Sequence, residues 1–225
     1  MKKTHQPAAP RVVTIDGPAG SGKSTVARAL ARRLGFLYVD TGAMYRALTW
    51  LLLRRGVDWA DARAVAAAVE RLDAQWEVRE GAVVMRLEDE DPGAAIRSDD
   101  VTKAVSGVAA HACVRSWMAE RQRALARLGP LVMEGRDIGS VVFPDAAWRF
   151  YLDASPAVRA SRRLREMGGA GSELARVARE IERRDALDSS RGVAPLQVPA
   201  GARVIDTSAL GIEEVVEVLE RWVRR

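Results

Sequence analysis

The chain has 225 residues, of which 48% are hydrophobic and 29% charged, and its formal net charge is +5. That composition can bury a core and excludes a disordered segment. One cysteine, Cys113, and two histidines, His5 and His111, exclude an intrachain disulfide and argue against a Cys- or His-based metal site.

The basic side is lopsided, because only Lys2, Lys3, Lys23 and Lys103 are lysines and the other cations are arginines. Residues 1–10 are read as a flexible N-terminus. They begin basic, but no apolar stretch follows Pro7, so no secretory signal is expected and the location is read as cytoplasmic. No apolar run approaches ~20 residues, which excludes a membrane span. Charge alone leaves open a nucleic-acid surface, binding of small phosphorylated anions, or a solvated arginine background.

Residues 11–16 are β-branched and form a buried strand. A glycine-rich turn follows, and Val26, Ala27, Leu30, Ala31 and Leu34 then recur at helical spacing until Gly35 stops the helix. The turn, Gly17-Pro18-Ala19-Gly20-Ser21-Gly22-Lys23-Ser24, fits the pattern G-x-x-x-x-G-K-[ST]. Its glycines let the backbone curl round a phosphate with N–H groups inward, and the helix adds the positive end of its dipole. In this motif Lys23 reaches the β- and γ-phosphates and Ser24 ligates Mg²⁺. A P-loop that binds a nucleoside triphosphate is therefore expected.

Residues 36–39 form a second strand and residues 42–55 a second helix, so the chain opens as a parallel α/β unit. The rhythm then breaks. A helix over 58–72 leads into two alternating runs, 75–79 and 83–87, joined by Glu80-Gly81-Ala82 as a hairpin. An inserted subdomain over about 58–105 is expected. Helices occupy 100–128, and strands follow at 131–133 and 148–152. Residues 156–188 are an arginine-rich helical stretch interrupted at Gly168-Gly169-Ala170-Gly171. A strand at 203–205 and an amphipathic helix over 212–223 close the chain. The fold class expected is α/β, with a five-stranded parallel sheet, helices on both faces, and the hairpin inside the insertion.

A P-loop alone leaves three classes: a small-molecule kinase, a GTPase, and an ATPase acting mechanically or on nucleic acid. An Asn-Lys-x-Asp base motif is absent, since the only later lysine stands in Val101-Thr102-Lys103-Ala104. A kinase of a small acceptor needs a second anionic site, hence arginines at strand ends and on a mobile cap, and the chain has them.

Four segments carry a closer likeness. They are residues 15–25, Asp40-Thr41-Gly42-Ala43-Met44-Tyr45-Arg46, Glu134-Gly135-Arg136-Asp137-Ile138-Gly139 with Val142-Phe143-Pro144-Asp145, and 184–196 from Arg184-Asp185 to Ala194-Pro195-Leu196. Together they resemble the bacterial cytidylate kinases, within the nucleoside monophosphate kinases. The resemblance implies transfer of the γ-phosphoryl of ATP to CMP or dCMP with Mg²⁺ held by Ser24, no nucleic-acid polymer as partner, and a monomer. It implies that Gly17, Pro18, Ala19, Gly20, Ser21, Gly22, Lys23, Ser24 and Thr25 hold ATP, with Arg159, Arg162 and Arg163 on a lid over about 157–185. It places the acceptor on Arg46 and Arg136, with Asp137 near the reaction centre. Thr41, Ser106, Arg115, Arg184, Asp188 and Arg191 are implied for cytosine and ribose. Lys23, Arg136, Asp137 and Arg162 are the implied catalytic group. A phosphate oxygen is largely ionised near neutral pH, its second pKa being about 6, so no general base is required.

Overall fold

A computed structural model of the chain describes residues 11–88 and 90–225. The N-terminus read as flexible lies outside them. In chain order the elements are β1 (Val12–Asp16), α1 (Lys23–Leu34), β2 (Leu37–Asp40), α2 (Thr41–Arg54), α3 (Ala62–Glu70), β3 (Ala74–Arg79), β4 (Ala82–Leu87), α4 (Asp99–Val108), α5 (Ala112–Ala124), β5 (Leu131–Gly135), β6 (Trp148–Asp153), α6 (Pro156–Glu166), α7 (Leu174–Ser189), β7 (Arg203–Asp206) and α8 (Ile212–Val223). Short helical turns cover Gly93–Arg97, Leu125–Leu128, Ile138–Val142 and Gly171–Glu173.

Helix starts follow local chemistry. The Asp40 carboxylate accepts the Ala43 amide at 2.8 Å and caps α2. Ser155 caps α6 with Pro156 in its first turn, and Ser98 caps α4 ahead of Asp99 and Asp100. Each arrangement satisfies an amide that the helix itself leaves unpaired, and the two carboxylates favour the positive end of the dipole.

The strands form one sheet in the order β3-β4-β2-β5-β1-β6-β7. The sequence led us to expect five parallel strands, and the sheet is instead mixed and seven-stranded. β4 joins parallel to β2 through Tyr38↔Ala82 and Val39↔Val83, and β3 pairs antiparallel at the edge. The hairpin therefore extends the central sheet. Its alternation gave no sign of this, because only one face of β4 (Val83, Met85, Leu87) is buried and the partner of that face lies far away in sequence.

Two cores sit on opposite faces of the sheet. Val13, Ile15, Val132, Phe150 and Leu152 point towards α1 and α8. Val12, Val39, Leu131 and Met133 point towards α2, α3 and α5. Burial on both faces explains why the central strands read as continuous apolar runs. A third, small cluster of Ala160, Leu164, Val177 and Ile181 binds α6 to α7 and includes the partly buried Ala19 of the glycine-rich turn. Among the described residues no helix is long and apolar enough to cross a membrane.

Phe150 is among the largest fully buried side chains. Phe150→Ala is expected to lower stability by about 3–5 kcal/mol, measured by urea unfolding.

Candidate active site

The C-terminal ends of β1, β2 and β5 lie side by side, with Asp40 opposite Glu134 and Asp16 opposite Gly135. Ligands of open α/β sheets collect at this edge. Here the edge opens into a cleft of about 1110 Å³.

The floor of the cleft is the glycine-rich turn between β1 and α1. Gly17, Gly20 and Gly22 all have positive φ, at 147°, 74° and 89°. A Cβ at Gly17 would lie 2.0 Å from the Leu152 carbonyl oxygen, and one at Gly20 would lie 2.7 Å from that of Arg159. The loop therefore needs glycine for its backbone angles and for its close approach to β6 and α6. Lys23 is almost fully buried and donates to the Pro18 carbonyl at 2.6 Å and to Ser21 Oγ at 3.4 Å. Burial pushes its ammonium well below the usual lysine range, and the neighbouring Arg136 adds to this.

The Ser24 hydroxyl donates to Glu134 Oε1 at 2.6 Å, and the Tyr38 hydroxyl lies 3.4 Å from the same oxygen. Burial holds the Glu134 carboxyl above the usual carboxylate range, with Asp40 contributing and Lys23 opposing. Among the described residues no group of three His, Cys, Asp or Glu side chains could hold a metal by itself. One hydroxyl beside one carboxylate, both hard oxygen donors, suits a Mg²⁺ ion that keeps several waters and arrives with phosphate oxygens.

The opposite wall is cationic. Arg46, on α2, donates to the Ile96 carbonyl at 3.2 Å and to Thr102 Oγ1 at 3.0 Å, which ties α2 to the start of α4. Arg136 follows β5, and its Nε donates to Asp188 Oδ2 at 2.9 Å. Arg191 is ion-paired with the other oxygen of Asp188. Arg184 is pushed down to about 10, first by burial and then by Arg136, and its Nε finds no hydrogen-bond partner. Arg46 is lowered by burial, by Arg163 and by Arg97. Burial alone would raise the Asp188 carboxyl, yet Arg136, Arg191 and Arg184 together hold it below its ordinary value. Several guanidinium groups thus crowd one carboxylate, an arrangement that attracts a further anion.

Asp137 pairs with Arg115, and both are buried. Arg115 also donates to the Ala109 carbonyl, lies over the Tyr45 ring at 5.3 Å, and leaves its Nε without a partner. The Thr41 hydroxyl donates to the Glu134 carbonyl at 2.7 Å. Its oxygen keeps lone pairs that can accept from an amino group.

The cleft brings together Ala19, Gly20, Gly22, Lys23, Ser24 and Thr25 with Thr41, Arg46, Ser106, Arg115, Arg136, Asp137, Arg163, Arg184, Asp188 and Arg191. Gly17, Pro18 and Ser21 belong to the loop but do not line the cleft. Arg159 and Arg162 do not line it either. Arg159 is ion-paired with Asp185 and donates to the Ala19 and Ala154 carbonyls. Arg162 donates to Thr207 Oγ1 at 2.9 Å and to the Thr207 carbonyl at 2.7 Å, with the Ser21 carbonyl at 3.4 Å. Both clamp the outer side of the glycine-rich loop.

Glu134, Asp185 and Thr207 escaped the sequence reading as individual site residues. Glu134 had a signal, an acid ending an apolar strand. Asp185 accepts the Ala19 amide at 3.2 Å, and Thr207 donates to the Ser21 carbonyl at 3.1 Å. Those contacts span more than 160 residues of chain, and nothing local in the sequence announces them.

A sequence profile of the cytidylate kinases matches residues 13–225. The chain is 49% identical over 212 residues to the bifunctional pantoate ligase/cytidylate kinase of Prochlorococcus marinus (strain MIT 9313), a match covering 92% of this chain and 42% of that protein. It is 48% identical over 219 residues to the cytidylate kinase of Nocardia farcinica (strain IFM 10152), covering 95% and 94%. The cytidylate kinase of Rhodococcus opacus (strain B4) is 48% identical over 208 residues, covering 91% of each chain. The chain thus spans less than half the length of the bifunctional relatives. Among solved structures, an uncharacterized protein of Eubacterium ventriosum ATCC 27560 shares the fold with a TM-score of 0.52 at 8% identity, over 95% of this chain and 98% of that one. The P-loop, the arginine wall and the profile match over nearly the whole chain lead to one conclusion: the chain belongs to the cytidylate kinase family.

Proposed function

We propose that the protein transfers the γ-phosphoryl of ATP to CMP or dCMP, giving ADP and CDP or dCDP. The observation that carries this reading is the cleft itself, where a P-loop with a buried Lys23 shares the lining with Arg46, Arg136 and Arg184, and Arg136 is ion-paired with Asp188. Two anionic ligands fit such a cleft, one on the loop and one on the arginines.

Transfer between phosphates asks the protein for alignment and charge neutralisation. Lys23 holds the triphosphate end. The Ser24 hydroxyl and the Glu134 carboxylate beside it would hold a Mg²⁺ ion arriving with ATP, and that ion would supply charge neutralisation at the phosphates. Arg46 and Arg136 hold the acceptor phosphate, and its oxygen attacks in line. Arg163, which lines the cleft from α6, is the lid arginine best placed for the transferred group. Arg159 and Arg162 support it by fixing the loop. Thr41, Ser106, Arg115, Asp188 and Arg191 read the pyrimidine and ribose, with Asp137 fixing Arg115. In this reading residues 58–105 serve as the monophosphate-binding insertion and 157–185 as the lid. The α6–α7 pair has its own four-residue core and could move as a unit. The ligands are small nucleotides rather than a nucleic-acid polymer, and the chain works as a monomer.

An ADP-release assay with CMP, dCMP, UMP and AMP tests the acceptor. Turnover with CMP or dCMP far above that with AMP is expected, and ATP turnover independent of any monophosphate would overturn the reading. Lys23→Ala should lower kcat by about 1,000-fold or more, the scale on which a phosphoryl clamp acts, without loss of the circular-dichroism signature of the fold. Arg191→Ala should raise the KM for CMP while leaving that for ATP near wild type; an equal rise in both would remove Arg191 from the acceptor side.

The paired carboxylate gives a prediction with a defined sign. Asp188 titrates below its ordinary 3.8 in the folded chain. Its charge therefore stabilises the fold above that pH, and the contribution is lost as pH falls through the folded value. Asp188→Asn should lower stability by about 3–5 kcal/mol at pH 7, because Arg136 and Arg191 lose their partner. The gap between the two proteins should start to narrow below about pH 4 and close only once the pH lies below the folded value of Asp188, measured by urea unfolding across that range.

A further inference from the structure

Asp16 ends β1, immediately before the P-loop, and is fully buried. Its two oxygens are each used once. Oδ1 accepts the Ile138 amide at 2.8 Å, and Oδ2 accepts the Gly139 amide at 2.7 Å. These two amides open the turn Ile138–Val142, which begins directly after Arg136 and Asp137. The turn sits tightly on the end of β1. A Cβ at Gly139 would lie 2.8 Å from Thr14 Oγ1 and 3.2 Å from Asp16 Oδ2.

The segment 136–137 is therefore held at both ends. Gly135 is in the sheet, in register with Asp16, and Ile138 hangs on the Asp16 side chain. Only the two residues that carry the acceptor clamp lie between these anchors. A carboxylate matches two consecutive amides with two acceptors, a fit that a neutral amide or hydroxyl cannot reproduce.

The group is costly where it stands. Burial pushes the Asp16 carboxyl up to about 7, against the Ile138 and Gly139 amides and Lys23, and Asp137 adds to the rise. Tyr151 faces it from β6. An apolar residue would satisfy the core more cheaply, so the carboxylate answers to the turn it holds.

We infer that Asp16 is a positioning residue for phosphoryl transfer. It sets Arg136 and Asp137 against the P-loop by fixing the amides of Ile138 and Gly139. The inference deepens the acceptor reading of Arg136 and rests on it.

Asp16→Asn is the first test. It keeps the shape but places an NH₂ group against one backbone N–H. The expected result is a fall in kcat of about 100-fold, the loss expected when a reacting group is displaced by about 1 Å. The KM for CMP should rise, while that for ATP stays within about threefold of wild type. Amide hydrogen exchange should accelerate over residues 136–142 and not over α1. Gly139→Ala is the second variant, for use alongside or if Asp16→Asn fails to fold. It pushes the turn off β1 without touching the P-loop, and it should show the same split between CMP and ATP.

Wild-type kcat and KM per folded molecule in either variant would overturn the inference. So would an equal rise of both KM values, or unchanged exchange over 136–142. Absence of CMP turnover in the wild type itself would instead overturn the reading of the site, and the exchange comparison would still decide whether Asp16 holds the turn.

Discussion

The constraint on which the site depends is cationic charge crowded into one cleft and withdrawn from water. Lys23, Arg136, Arg184 and Arg46 share one cleft, and each of Lys23, Arg184 and Arg46 is driven down by burial and by another cation. Asp188 is ion-paired with both Arg136 and Arg191. In the proposed reading, the phosphates of the two nucleotides answer this charge.

The crowding is tolerable because the surrounding fold is stiff. Central strands buried on both faces fix the ends of β1, β2 and β5 to each other through an unbroken parallel ladder. Acids at those ends then carry out local work. Asp40 caps α2, Asp16 holds the turn after β5, and Glu134 receives the Ser24 hydroxyl. Asp16 and Glu134 each link elements more than 100 residues apart in sequence, while Asp40 fixes the helix that directly follows its own strand. α7 extends this logic, because Asp185 accepts the P-loop amide of Ala19 while Arg184, Asp188 and Arg191, at and just beyond its end, line the cleft.

What could be read from the sequence follows from range. The P-loop was legible because strand, turn and helix are contiguous and the glycines have a local cause in positive φ and close approach. The arginine wall was legible only through the family motifs, since Arg46 and Arg184 look like solvated helix arginines in isolation. The sheet was under-read, because pairing of β4 with β2 is decided by a shared buried face across about 45 residues of chain, not by alternation within the hairpin. The contacts of Arg159 and Arg162 were hidden from the sequence for the same reason. Their partners, Asp185 and Thr207, arrive from later elements.

The bias for arginine over lysine acquires a physical sense from these contacts. A guanidinium stays charged when buried and divides its donors among several acceptors. Arg162 serves both oxygens of Thr207, and Arg159 serves a carboxylate and two carbonyls. A lysine in either place would supply one compact charge that burial tends to neutralise. Lys23 is the exception, its ammonium donating to the Pro18 carbonyl inside the turn. Burial and Arg136 lower its affinity for the proton, and Glu134 and Asp16 oppose them.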